Sequence, residues 1–192
     1  MKVLAINGSP RPNGNTNQLI EMVFEAIKAE NDKIETELIQ LAGKTINPCR
    51  ACFKCMANKN NKCVQDDDLN EVFTKMIEAD AIIIGTPVYY ANVSGKTKCL
   101  IERAGFVSNA NGGKFKRKLG AGVAAVRRQG ACHAWNSINM LFGISEMIIV
   151  GSSYWNMGFG LAPGEVQKDA EGKQTMKNLG TNIAWLLTKI HT

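Results

Sequence analysis

The chain has 192 residues, 45% of them hydrophobic and 21% charged, which supplies one sizeable core and argues against disorder or a fibrous repeat. The net charge of +6 raises the question of nucleic acid, yet the basic residues gather only in a cysteine-rich segment and in residues 112–120 (GGKFKRKLG). Neither has the aromatic interleaving of a single-strand binder, so anionic small molecules are the expected ligands and no nucleic-acid partner is expected. No apolar run approaches the length of a membrane span, and the opening MKVLAINGSP turns at Gly-Ser-Pro too early for a signal peptide. A cytoplasmic protein with no membrane partner is expected.

Residues 2–6 (KVLAI) are apolar enough to be a strand buried on both faces. A helix should begin near Asn15, because Leu19, Ile20, Val23, Phe24 and Ile27 follow three-and-four spacing. Residues 34–41 (IETELIQL) read as a second strand. After the cysteine segment, Asp66 or Asp67 offers an N-cap for a helix whose apolar face is Leu69, Val72, Phe73, Met76 and Ile77. Residues 79–87 (ADAIIIGTP) form the clearest strand. Alternation continues with a helix over 95–103, a strand over 119–126, a helix over 134–142, a strand over 147–151 and a last helix over 175–190.

This pattern predicts a single α/β domain over residues 1–192, a doubly wound five-stranded parallel sheet in the order 2-1-3-4-5 with a Cys-rich insertion after strand 2. In that topology a ligand lies outside the carboxyl ends of strands one, three and four, so three loops matter most. The first, residues 8–17 (GSPRPNGNTN), is built as an anion cradle. Gly8 and Gly14 permit tight turns, Ser9, Asn15, Thr16 and Asn17 supply donors at a helix N-terminus, and Arg11 adds a charge. It lacks both the Gly-Lys-Ser/Thr ending of a nucleoside-triphosphate loop and the G-x-G-x-x-G of a dinucleotide site, which leaves a single terminal phosphate. The second, residues 86–98 (TPVYYANVSGKTK), puts Pro87, Val88, Tyr89 and Tyr90 at a strand end, where flat rings suit a planar ligand. Together the two loops describe a mononucleotide with a large planar base.

The cysteine segment, residues 49–63 (CRACFKCMANKNNKC), has the spacing C-x2-C-x2-C-x7-C. Its thiols can hold an iron-sulfur cluster, hold zinc, form disulfides or simply pack; three close cysteines lean toward iron, since zinc usually takes two separated pairs. Lys44, Arg50, Lys54, Lys59 and Lys62 lie between Gly43 and Cys63 with no acidic residue, which is expected to lower the thiol pKa values and offset a cluster's charge. Cys99 and Cys132 stand alone and read as small hydrophobes.

GSPRPNGNTNQL, DAIIIGTPVYYANVSGKTKCLIERAG and CRACFKC together resemble the NADPH-dependent FMN reductase family, flavodoxin-like in fold, in its iron-sulfur flavoprotein branch. The resemblance implies that Ser9, Arg11, Asn15, Thr16 and Asn17, on the turn made by Gly14, hold the FMN phosphate. It implies that Pro87, Val88, Tyr89, Asn92 and Ser94, with Tyr90 beside them, line the isoalloxazine, and that Cys49, Cys52, Cys55 and Cys63 carry a [4Fe-4S] cluster. The third loop, residues 126–135 (VRRQGACHAW), then approaches the ring from the other side with Arg127, Arg128 and Gln129. Its arginines either stabilise the negative charge of a reduced flavin, grip the phosphates of NAD(P)H, or remain solvated. His133, with Trp135 after it, is expected to cap and pack the next helix.

Residues 152–172 form a long connection holding Tyr154, Trp155 and Phe159, expected as a lid or as an interface in a dimer or tetramer. The function implied is an FMN-dependent oxidoreductase passing electrons from NAD(P)H or reduced ferredoxin to a quinone, nitro compound, metal ion or protein acceptor. The alternative is an electron carrier without a small-molecule substrate. Neither requires an acid-base residue, because the cofactor carries the chemistry.

Overall fold

Three strands too apolar for an edge position occupy the middle of the sheet. In the computed structural model, which describes residues 1–191, β1 (Lys2–Asn7), β3 (Ala81–Pro87) and β4 (Leu119–Val126) are buried almost throughout. β2 (Glu35–Gln40), half of whose residues carry charge or an amide, takes one edge. All pairings are parallel and the order is 2-1-3-4-5 as expected, with Asn7 opposite Gln40 and Gly85 at the carboxyl ends.

Alternation within each strand divides the core in two. Val3, Ala5, Ile83 and Val123 face α1 (Asn15–Glu30) and α6 (Ala170–Ile190). Leu4, Ile6, Ile82 and Ile84 face α3 (Leu69–Glu78), α4 (Gly95–Ala110) and α5 (Ala131–Ile144). A one-residue slip in any strand would exchange these two sets.

The structure corrects the sequence reading in several places. The fifth strand is split: β5 is only Ile148–Ile149, paired with the start of β4 at Leu119 and Gly120, while β6 (Met157–Phe159) pairs with its end at Ala124–Val126. The connection over residues 152–172 is therefore no free loop. It holds β6, a 3-10 turn (Glu165–Lys168) and the start of α6, capped by Asp169, whose carboxylate accepts the Gly172 N–H at 2.9 Å. Asp68, not Asp66 or Asp67, stands at the N-cap of α3, and it makes no side-chain cap bond because its carboxylate accepts from the Thr45 N–H. α5 begins at Ala131, right after Gly130 at φ +91, so His133 lies in its first turn rather than before it. Within the cysteine segment a short helix, α2 (Lys54–Asn58), forms without buried residues. Among the described residues no helix is long and apolar enough to cross a membrane.

α1 and α6 touch backbone to backbone at Gly180, where a Cβ would lie 2.4 Å from the Val23 carbonyl oxygen and 2.6 Å from the Ala26 Cβ. Alanine gains roughly 1 kcal/mol of helix propensity over glycine, but this overlap forces the helices apart at a larger cost. Gly180→Ala should lose about 1–3 kcal/mol net in urea unfolding, against the gain expected at an open helical position.

Candidate functional site

The carboxyl edge is organised by a close approach between the loops after β1 and β3. The Gly8 N–H donates to the Gly85 carbonyl at 2.8 Å, and the Ser94 hydroxyl donates to the Gly8 carbonyl at 2.7 Å. A Cβ on Gly8 would sit 1.8 Å from Thr97 Oγ1, so no other residue fits there. Ser94 is also the N-cap of α4, its Oγ accepting from the Thr97 N–H, so one buried hydroxyl fixes both a helix start and a neighbouring loop. A ring of amides stiffens the phosphate-type loop from behind. Asn7 Oδ1 accepts from the Ser9 N–H at 3.0 Å, Asn7 Nδ2 donates to Gln40 Oε1 at 2.6 Å, and Gln40 Nε2 donates to the Ser9 carbonyl at 2.7 Å.

These contacts frame a cleft of about 150 Å³ lined by Ser9, Arg11, Gly14, Asn15 and Thr16 on one side and Pro87, Val88 and Tyr89 on the other. Ala125, Arg127, Gly160 and Leu161 close it. The N-terminus of α1 opens into it without a side-chain cap and without an acidic residue in the first turn. The N–H groups of Asn15, Thr16 and Asn17 thus have neither an intrahelical acceptor nor a capping oxygen, the arrangement that attracts an anion. Ser9 Oγ accepts from the Arg11 N–H at 3.1 Å and keeps its own hydrogen to donate.

The side chain of Asn15 is turned to the neighbouring wall: Nδ2 donates to the Ala162 carbonyl at 3.0 Å and Oδ1 accepts from the Gly164 N–H at 2.9 Å. It anchors the Gly160–Leu161 wall, whose backbone is also held by Glu165 Oε2 accepting from Leu161 and Ala162; those two N–H groups hold the Glu165 carboxyl below its ordinary pKa. Asn17, Tyr90, Asn92, Arg128 and Gln129 lie outside the lining of this cleft. Ser94 lines an adjoining hollow with Gly8, Tyr89 and Lys96. Tyr89 and Asn92 exchange both backbone hydrogen bonds across a tight turn whose central residues, Tyr90 and Ala91, sit at φ +47 and +59. Gly130 packs under that turn, where a Cβ would meet Ala91 Cα at 2.7 Å, so the β4 loop is seated on the β3 loop. Arg127 borders both the cleft and a wider hollow shared with Arg128 and Lys168, and neither arginine makes an ion pair among the described residues.

The four clustered cysteines come together elsewhere. Cys49, Cys52, Cys55 and Cys63 are all free thiols and all line one hollow of about 20 Å³ packed against α4 through Arg103, Phe106 and Val107. It shares no residue with the cleft. Asn70 fixes Cys63 by accepting its N–H at 2.8 Å and donating to its carbonyl at 2.9 Å, and Phe53 meets Phe106 edge-on at 6.4 Å. Ala51, Phe53, Lys59 and Asn61 all have positive φ, a concentration of backbone strain of the kind found where a ligand shapes a loop. Among the described residues no three His, Cys, Asp or Glu side chains are gathered tightly enough to clasp one metal ion. Burial pushes the Cys55 thiol up, with Cys63 and Cys52 adding to it, so at Cys55 the expectation that nearby lysines lower the thiol pKa values does not hold. Lys54, Lys59, Lys62 and Arg50 face solvent, and Lys44 pairs with Glu71 and Asp68.

Sequence reasoning missed Arg103, the largest buried side chain, which is 1% exposed. A signal was present: it interrupts the apolar stripe Leu100, Ile101, Ala104, Val107 of α4. Its Nη1 donates to the Asn47 carbonyl at 3.1 Å and to Asp67, which is equally buried. Nε and Nη2 have no acceptor, whereas Gln65 Oε1, on another side chain of the hollow, is an acceptor without a donor. The orphaned donors facing four thiols fit a sulfur-rich anionic group better than an empty packing defect.

A parallel sheet of this order with a cleft at its switch point is a flavodoxin-like α/β protein. RosB with bound 8-demethyl-8-formylriboflavin-5'-phosphate matches with a TM-score of 0.78 at 18% identity, over all of this chain and 80% of that one. A flavodoxin from the domain Archaea matches at 0.63 and 16% identity, over 98% and 99% of the two chains. Such low identities speak to the fold alone. The sequence profile of the NADPH-dependent FMN reductases matches residues 1–162. An iron-sulfur flavoprotein of Methanocaldococcus jannaschii is 41% identical over 191 residues, covering 96% of each chain, and one of Methanosarcina thermophila is 32% identical over 192 residues, covering 99% and 97%. The chain belongs to the NADPH-dependent FMN reductase family, in its iron-sulfur flavoprotein branch.

The Asp67 carboxyl is itself a test of the cysteine hollow's framework. Burial opposes its ionisation, but hydrogen bonds from Arg103 and from the Asn47 and Leu69 N–H groups prevail and bring it down to about 2. Because the folded pKa is depressed, its contribution is complete above about pH 4 and is lost as pH falls toward 2, roughly 2 kcal/mol in all. Asp67→Asn should cost about 3 kcal/mol at neutral pH and flatten the acid limb of the stability curve in urea titrations.

Proposed function

We infer that this protein is an FMN-dependent oxidoreductase that accepts electrons from NAD(P)H or a reduced ferredoxin and delivers them to a small-molecule or protein acceptor. The observation that carries this is the uncapped N-terminus of α1 opening into the same cleft as Val88 and Tyr89, a phosphate site and an aromatic site on adjoining strand ends. The N–H groups of residues 15–17, the Ser9 hydroxyl and Arg11 hold the terminal phosphate. Pro87, Val88 and Tyr89 present a flat, half-apolar wall to the ring, and the rigid Gly8 clasp keeps the two halves of the site in register. When bound, FMN supplies both one- and two-electron transfer, and an iron-sulfur cluster on Cys49, Cys52, Cys55 and Cys63 supplies one-electron transfer. Arg127, projecting into both hollows, is placed to offset negative charge in the cleft or to meet the phosphates of a nicotinamide donor, with Arg128 and Lys168 beside it.

A second reading, an electron carrier with no substrate of its own, is favoured by the separation of the two hollows and by the position of the cysteines on the outer surface over α4. Exposed Phe106, Met140 and Ile144 on α4 and α5 support association with a second copy, which would cover an apolar face. Rapid anaerobic bleaching of the flavin by NADPH is the outcome for the enzyme; bleaching by reduced ferredoxin alone, with no turnover of a quinone or nitro acceptor, would replace it with the carrier.

Gly14→Asp tests the phosphate site directly. Gly14 has φ −79, which any residue adopts, and an aspartate there caps α1 and fills the anion position with its own carboxylate. A Cβ there lies 3.1 Å from the Arg11 Cβ, so the apoprotein should change in stability by no more than about 0.5 kcal/mol while FMN affinity, read by fluorescence quenching, falls about 100-fold. A variant that binds FMN as the parent does would remove the helix N-terminus from the site.

A further inference from the structure

Arg103 has more hydrogen-bonding capacity than the protein around it uses. Its guanidinium is buried at 1% exposure between α4 and the cysteine segment, and only Nη1 is occupied, by Asp67 and the Asn47 carbonyl. Nε and Nη2, which form the opposite edge of the fork, have no acceptor. An arginine kept dry with three of its five N–H donors idle is costly unless something absent from the chain accepts them. What borders it is the thiol hollow: Arg103 lines the cavity together with Cys49, Cys52, Cys55 and Cys63, and the Cys63 thiol lies beside the guanidinium.

We propose that Arg103 is the positioning residue of the four-cysteine site, donating its Nε–H and Nη2–H to sulfur of the group held there while Asp67 locks the guanidinium from behind. This rests on the reading of the four cysteines as an iron-sulfur site. The assignment accounts for three facts at once: a charged residue in the apolar stripe of α4, a buried carboxylate four residues after Cys63, and orphaned donors on the cavity wall. Hydrogen bonds to sulfur favour the more negative, reduced state of a cluster and raise its potential. Asp67 neutralises the cation overall, so the effect belongs to the directed N–H groups rather than to net charge.

The test begins with anaerobically purified protein, in which iron and acid-labile sulfide are determined first. Their absence would overturn the iron-sulfur reading itself, and this inference with it. In loaded protein, the double variant Arg103→Met with Asp67→Asn removes the guanidinium donors without leaving a lone buried charge, and its iron-sulfur midpoint potential, followed by EPR, should move to more negative values while the flavin couple stays in place. An unchanged midpoint with full iron content would overturn the Arg103 assignment alone. Should the double variant fail to assemble, the chain with only Arg50→Lys, which removes the other arginine on the hollow, is labelled with [15N]arginine and reduced with dithionite. Pulsed EPR should then show a 15N coupling to the reduced centre, and its absence would overturn the assignment.

Discussion

Everything at the carboxyl edge depends on how closely the β1 and β3 loops approach at Gly8. One backbone bond to Gly85 and one from the Ser94 hydroxyl hold the loops together, and the space beside Thr97 admits no side chain at all. Because Ser94 is also the cap of α4, any displacement of the phosphate-type loop would uncap that helix, and α4 in turn carries Arg103 and the wall of the cysteine hollow. A single buried hydroxyl therefore connects the geometry of two sites that share no residue.

The same economy appears in the segment leading into the cysteines. Lys96, in the first turn of α4, donates to the Leu41 and Lys44 carbonyls just past the end of β2, while Gln65 donates to the Pro48 carbonyl and the Asn61 N–H donates to Asn111 Oδ1. The segment has almost no apolar burial of its own, since α2 buries nothing. It is held by polar contacts at its ends and by Phe53 on Phe106, so a group bound within it would supply the missing core, much as metals do in small domains.

The fold was legible because its signals are periodic: the isoleucine run of β3 and the stripes of α1 and α3 admit few other readings. β6 was not, because Met157–Phe159 is three residues long and is a strand only by pairing with the end of β4, a long-range fact. The start of α5 was hidden by Ala131 and Cys132, which carry no apolar stripe, and α6 was started late because its first turn is polar and capped by Asp169. At the site, Ser9, Gly14 and Tyr89 follow from loop chemistry, whereas the Gly160–Leu161 wall could not, since long-range contacts place it: the Gly160 N–H on the Val126 carbonyl and the Asn15 amide on Ala162. Arg103 was legible in principle. A cation inside an apolar stripe asks for a partner, but Asp67 is thirty-six positions away and only the folded chain brings them together.

On the proposed function, one chain carries two separate electron-handling sites, a flavin cleft at the switch point and a sulfur-lined hollow over α4. The most direct measurement is FMN, iron and acid-labile sulfide quantified on a single anaerobic sample together with its visible spectrum. The account predicts about one FMN, about four iron and about four sulfide per chain, with cluster absorption beneath the flavin bands. Protein with FMN but neither iron nor sulfide, or with a single metal ion and no sulfide, would contradict it.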